Sequence, residues 1–324
     1  MTPRILSARR RLWPRSGTAR RAAAESLRRP IGSGGKGMRN LGPILTVVAA
    51  ILVIWYGAAV KMNAKWVYDQ AARAGAEVST SQLLRETMAQ ERPVLPAPHQ
   101  VAKGLWQGVA GQKITSKRSL VFHGWVTLSA TLAGFALGAA AGLLLAIGIV
   151  HSRAMDMSVM PWAIASQTIP ILAIAPMVIV VLASLGIKGL LPKAIIAAYL
   201  SFFPVLVGMV KGLRAPDAMQ LDLMRTYNAN RAETFWKLRL PSSMPYLFAS
   251  LKVGIAAALV GTIVAELPAG ATQGLGARLL SGSYYGQTIQ IWAALFAAAT
   301  LAAGLVVAVG AIERVVLRKM GMAA

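Results

Sequence analysis

The sequence has no cysteine. That excludes disulfides, thiolate metal sites and cysteine nucleophiles, and leaves the redox compartment open. Histidine is nearly as scarce: His99, His123 and His151 are scattered, and none stands beside another His or an acid at metal-ligand spacing. Charge is thin as well. Only 14% of the 324 residues are Asp, Glu, Lys or Arg, where soluble domains carry roughly 25%. No H-E-x-x-H or G-x-S-x-G occurs, so the marks of a zinc or serine hydrolase are missing. A phosphate loop is missing too. In GSGGKG (Gly32 to Gly37), Pro30 stands where the first glycine belongs and Gly37 where Ser or Thr belongs. The chain therefore carries no recognisable site for ATP, cofactor or metal, and no enzyme activity is expected of it.

What fills the sequence is apolar. Hydrophobic residues make up 56% of it, the mean hydropathy is +0.56, and long uncharged runs argue for an integral membrane protein. The net charge of +23 fits either nucleic acid or an anionic membrane face. Its distribution decides, because Lys and Arg gather in the tail and in loops between apolar runs, as in membrane topology. The basic tail lacks the aromatic-interleaved arrangement of a nucleic-acid arm beyond Trp13, so nucleic acid is not an expected partner.

Six runs have spanning length, about 20 residues: Pro43–Val60, Trp125–Val150, Val159–Leu185, Ala194–Val210, Leu247–Leu267 and Thr288–Ile312. The fold class is all-α, a polytopic membrane protein with about six transmembrane helices. Trp125, Trp162 and Trp292 sit near run ends, where amphipathic rings prefer the headgroup zone. Residues 1–41 read as a basic disordered tail, in composition also like a transit peptide. Met38, followed by Arg39, Asn40 and the first apolar run, is an alternative start. Residues 42–62 form the first span, 63–121 an extracytoplasmic segment of short helices and loop, 122–315 a five-helix core with a cytoplasmic loop at 214–245, and 316–324 a tail. The N-terminal tail, the His151–Arg153 turn, the Lys211–Arg239 loop and the Arg314–Lys319 tail fall on one side and are basic. That places both termini in the cytoplasm of a multi-pass inner-membrane protein.

Two runs have marked interiors. In GFALGAAAG, Gly134, Gly138 and Gly142 recur every four residues, leaving one helix face bare for close approach of another helix, within the subunit or at a subunit interface. In TIPILAIAP, Pro170 and Pro176 each remove a backbone donor and bend the helix, as beside a pathway or in a merely kinked span.

The 214–245 loop is unlike its surroundings. DLMRTYNANRAETFWKLRLP (Asp222 to Pro241) gathers charges and amides between two apolar runs. Asp217 suits a helix start. Leu223 and Tyr227 are i,i+4 partners. Asn228 takes the left-handed conformation that ends a helix. Asn230 with Glu233 three residues on begins a second helix. Phe235, Trp236, Leu238 and Leu240 supply apolar surface, and Pro241 stops it. Such an amphipathic two-helix unit either docks into a partner's groove or folds back on the bilayer or its own subunit.

The stretch resembles the EAA loop of permease subunits of bacterial ATP-binding-cassette (ABC) importers, whose pattern is E-A-A, three residues, G, nine residues, I-x-L-P. Asp222-Leu223-Met224 takes the E-A-A positions, Asn228 the glycine, Leu238 the isoleucine and Leu240-Pro241 the L-P. The spacing is intact. Asp keeps the charge, Asn is among the best non-glycine residues for a positive φ, and Leu and Met are bulkier than the alanines. LPAPHQV, SATLAGFALGAAAG, TIPILAIAP and PKAIIAAYLSFFPVLVGMVKGL are similar to the nitrate/sulfonate/taurine-type branch, and the likeness covers about residues 95–315. Gly261 to Trp292 looks closer to permeases for pyrimidine vitamin precursors or riboflavin. The resemblance implies an ABC importer type I permease-like fold and a subunit that does no bond chemistry. It also implies three partners beside membrane lipid: a second permease copy, a cytoplasmic ABC ATPase dimer that binds the ATP, and an extracytoplasmic solute-binding protein. The solute would be a small organic molecule or anion.

Of the eleven acids, Glu266 alone falls inside an apolar run, and intramembrane carboxylates are functional candidates by default. Thr262 lies one turn before it. With Gln167 and Thr168 in the proline-bent run and Ser201 in the next, these are the candidate solute-pathway residues. The competing place for Glu266 is a helix end near the outer interface, hydrogen-bonded to neighbouring backbone. The alternative function is an ion-driven secondary transporter without an ATPase, which would need intramembrane ionisable groups and usually an internal repeat. Glu266 is a thin basis, and no convincing repeat is visible.

Overall fold

The computed structural model describes residues 41–268 and 272–322. The expectations for the basic tail, and for a start at Met38, concern residues outside these. The described residues divide into two units, with the boundary between Ile54 and Trp55. The regular elements of the described residues are all helical: α1 Leu41–Ala74, α2 Thr80–Ala89, α3 Pro98–Val109, α4 Leu120–His151, α5 Arg153–Ser166, α6 Ile171–Ser184, α7 Leu190–Leu213, α8 Ala218–Thr226, α9 Arg231–Thr234, a π-helical turn Phe235–Arg239, α10 Leu240–Ala265, α11 Leu275–Tyr284 and α12 Thr288–Lys319. Five helical stretches are long and apolar enough to cross a membrane, and the bent pair α5–α6 makes a sixth if it is counted as one broken span.

The third expected run, Val159–Leu185, is not one span with kinks. It is broken into α5 and α6, whose axes differ by 96°. The break falls at Gln167–Pro170, where Pro170 lacks a donor and disfavours helical geometry at Ile169. Pro176 is carried inside α6. The Tyr199 hydroxyl, on α7, bonds the Ser166 carbonyl and holds the end of α5.

α7 is the central helix, packed lengthwise on both α4 and α10. The glycine stripe of α4 explains the first contact. A Cβ on Gly138 would strike Ser201 Oγ and lie 2.7 Å from the Ala198 carbonyl, and one on Gly142 would lie 2.6 Å from the Phe202 carbonyl. Of the two uses left open for this bare face, the structure shows packing within the chain. Where side chains return, Ile149, Leu206, Met209 and Leu213 close a core around Phe235.

The first apolar run does not end as a helix near Val60; α1 continues through polar sequence to Ala74. Asn63, fully buried on it, donates to the Leu95 carbonyl at 2.9 Å and accepts from Val94 N–H at 2.8 Å. Residues 93–97 are thereby tied to α1, and Trp55 Nε1 adds a bond to the Pro96 carbonyl at 3.0 Å.

Candidate functional site

The 214–245 loop is built by its own side chains. Asp217 Oδ1 accepts from Gln220 N–H at 2.7 Å, and Gln220 Oε1 accepts from Asp217 N–H at 3.2 Å, capping α8 reciprocally. Asn228 ends that helix at φ 51°, the one positive φ outside glycine among the described residues. Asn230 Oδ1 accepts from Glu233 N–H at 2.8 Å while Glu233 Oε2 accepts from Asn230 N–H at 3.0 Å, starting α9. Asp222–Arg225 at 2.9 Å and Glu233–Lys237 at 3.1 Å are exposed ion pairs, worth little for stability.

Pro241 does not stop the second helix. The chain stays helical from Arg231 to Ala265, and Pro241 lies in the first turn of α10. The preceding turn widens to π spacing, Leu240 N–H bonding the Phe235 carbonyl. That widening accommodates a ring which would clash with the carbonyl of a regular turn. The loop's second half is therefore one rod with a membrane-spanning helix.

Its apolar residues divide sharply. Phe235 is only 9% exposed and stands edge-on to the His151 ring at 5.3 Å, so it anchors the loop to α4 instead of offering a surface. Leu223 and Trp236 are 55% and 65% exposed, with Met219 and Tyr227 also turned outward. Met224, Leu238, Leu240 and Pro241 are half-buried. Two polar ties fix the base: Arg214 Nη2 to Asp156 at 2.8 Å and Arg239 Nη1 to the Leu213 carbonyl at 3.2 Å. The unit is a rigid, apolar-tipped projection at one end of the helix bundle.

At the other end lies Glu266. It caps the C-terminus of α10 and is fully buried. Lys193 Nζ reaches its Oε1 at 3.0 Å and the Gln273 carbonyl at 2.9 Å. The Thr127 hydroxyl donates to Oε2 at 2.9 Å, and Gly276 N–H donates to Oε2 at 3.0 Å. Leu275 N–H in turn bonds the Thr127 hydroxyl at 2.9 Å. Gly274 N–H donates to His123 Nδ1 at 3.0 Å, which leaves Nε2 as the donor to the Lys117 carbonyl at 2.9 Å. The carboxylate thus clamps residues 273–276 onto α4 and α7.

Gly274 has φ 119°, and a Cβ there would overlap the Glu266 carboxyl group. Both strain and collision oppose any side chain. Gly274→Ala is expected to abolish accumulation of monodisperse protein in detergent, read by fluorescence-detected size exclusion. Gly321, also at positive φ but with open space around it, serves as the control, its alanine variant keeping the wild-type profile.

The five pathway candidates do not gather into one lining. Glu266 and Thr262 share a buried network, the Thr262 and Thr131 hydroxyls lying 3.0 Å apart. Ser201 is buried against Gly138. Gln167 and Thr168 are exposed at the α5–α6 break. Sequence reasoning missed Lys193, Thr127, His123 and Gly274. One signal was present: a lone buried-run acid followed by the G-L-G of Gly274–Gly276. Among the described residues, no three His, Asp or Glu side chains stand together as a metal site.

The family described as binding-protein-dependent transport system inner membrane component matches residues 138–322. The chain belongs to this family of ABC transporter permeases. The riboflavin transport system permease protein RibX of Chloroflexus aurantiacus is 32% identical to this permease over 225 residues, 69% of this chain and 80% of that protein. The formylaminopyrimidine transport permease protein ThiX of Halalkalibacterium halodurans is 29% identical over 184 residues, 56% of this chain and 68% of that one. The putative aliphatic sulfonates transport permease protein SsuC of Bacillus subtilis is 25% identical over 173 residues, 53% of this chain and 61% of that one. The family match takes in the capped loop together with Lys193, Glu266 and residues 273–276, and leaves out α1 to α3 and the start of α4 with His123 and Thr127. With its apolar helices, the permease is a multi-pass inner-membrane protein of small-solute import.

Proposed function

We propose that this permease couples a separate cytoplasmic ABC ATPase dimer to alternating access of a pathway formed with a second permease copy. An external binding protein delivers the solute. The observation that carries the proposal is the capped loop, whose tip exposes Leu223 and Trp236 while its second half continues without interruption into α10. A displacement of the tip by the ATPase moves a spanning helix directly, with the π turn and Phe235 as the pivot. In this reading the loop end of the bundle and both termini face the cytoplasm, which the bias of Lys and Arg toward these segments supports. In this reading the ATP is bound by the partner ATPase. The solute is a small organic molecule of the size and polarity of riboflavin, a pyrimidine vitamin precursor or a sulfonate, a range set by the names of the relatives. In this scheme Gln167 and Thr168, exposed where the third span breaks, line the pathway. Glu266, Thr262 and Ser201 hold the helices that frame it.

The test is retention of an ABC ATPase, encoded beside the permease and co-expressed with it, through a tag on the permease, followed by uptake in vesicles. Retention with ATP-dependent uptake is the expected result. Uptake driven by an ion gradient without nucleotide, and no retained ATPase, would replace it with the secondary-transporter alternative.

A further inference from the structure

At the Glu266 end of the bundle, a cavity of about 660 Å³ opens between α3, the start of α4 and the α11–α12 corner. Arg92, Arg118 and Arg278 line it together with Gln107 and Gln290, against a single acid, Glu91. None of the three arginines is within ion-pair distance of a carboxylate among the described residues. Cations of one sign gathered around a concave surface repel one another unless something neutralises them. We propose that this cavity binds an oxyanion, a phosphate- or sulfate-like group, through Arg278, Arg118 and Arg92.

Arg278 makes the strongest case. Its Nε–H is buried and has no hydrogen-bond acceptor among the described residues. A guanidinium donor cut off from water without a partner is costly, and such a group marks a missing ion or water. Burial, with the Arg118 charge nearby, holds the Arg278 guanidinium's pKa below its ordinary value. Planar guanidinium takes two oxygens of a phosphate or sulfate side by side, which supplies the absent acceptor. The walls are held in place. Gln290 Nε2 bonds the Arg278 carbonyl at 3.2 Å, and the Thr288 hydroxyl bonds the Pro93 carbonyl, tying the segment between α2 and α3 to the start of α12.

The volume admits a free oxyanion or the phosphate of an anionic lipid headgroup. These two sources share the recognition chemistry, and one experiment separates them. The full-length permease is placed in nanodiscs of phosphatidylcholine, with and without inorganic phosphate at matched ionic strength, and in nanodiscs containing phosphatidylglycerol. The expected result is a rise in melting temperature of about 2–4 °C with phosphate, or with phosphatidylglycerol alone if the ligand is a headgroup. The rise is lost in Arg278→Gln and in Arg118→Gln. Arg118 is exposed in the loop before α4, so its variant folds even if the first does not. A wild-type protein that responds to neither probe overturns the proposal, as do variants that respond as the wild type does.

Discussion

Lys193→Met is expected to cost the permease about 3–5 kcal/mol, because it strands the Glu266 carboxylate in the interior without its counter-ion. Lys193 is 14% exposed and Glu266 not at all, so solvent screening gives little relief. Thr127 and Gly276 would still donate to the carboxylate, but neither carries charge. In detergent the apparent melting temperature is expected to fall on the order of 10 °C. The informative variant is the double one. Lys193→Met with Glu266→Gln removes both charges and keeps an amide that accepts from Thr127 and Gly276, so most of the loss is expected to be recovered. If the double variant is as unstable as the sum of the single ones, the pair is not coupled and the clamp is not electrostatic. Uptake by the double variant then separates structure from transport. Near-normal uptake assigns Glu266 to holding residues 273–276, and abolished uptake by a stable protein returns it to the pathway.

The second large effect is expected at the loop tip. Leu223→Ala with Trp236→Ala should weaken capture of the ATPase by about 30-fold or more, since an exposed Trp at the centre of a docking surface carries upwards of ~2 kcal/mol. Melting temperature should stay within about a degree of wild type, because both side chains face solvent. Phe235→Ala is the contrasting case. It empties a packed site against His151, Leu206 and Met209 and is expected to cost about 3–5 kcal/mol of stability. Binding and melting read together distinguish a docking residue from an anchor. Equal loss of both in the Leu223/Trp236 variant would mean the tip packs on its own subunit or the bilayer.

The two-helix loop was legible in the sequence because its determinants are local. Asp217 with Gln220, and Asn230 with Glu233, form caps three residues apart, and the one non-glycine positive φ falls on the Asn228 expected to adopt it. What misled was also local. Pro241 looks like a helix stop, yet a π turn absorbed it, and Phe235 and Trp236 are neighbours of similar chemistry that point to opposite environments.

By itself the sequence determined the membrane class, the number and order of apolar runs, the capped loop and the permease resemblance. Each depends on composition, or on contacts within one turn of helix. Only the tertiary structure decided that the bare face of α4 meets α7, that the third run breaks by 96°, and that Glu266 is a clamp. The carboxylate's side-chain partners, Lys193 and Thr127, lie 73 and 139 residues away in the chain. No periodicity encodes such a meeting, because it exists only once α4, α7 and α10 have packed and the cost of burying a charge has selected the lysine and the hydroxyl that offset it.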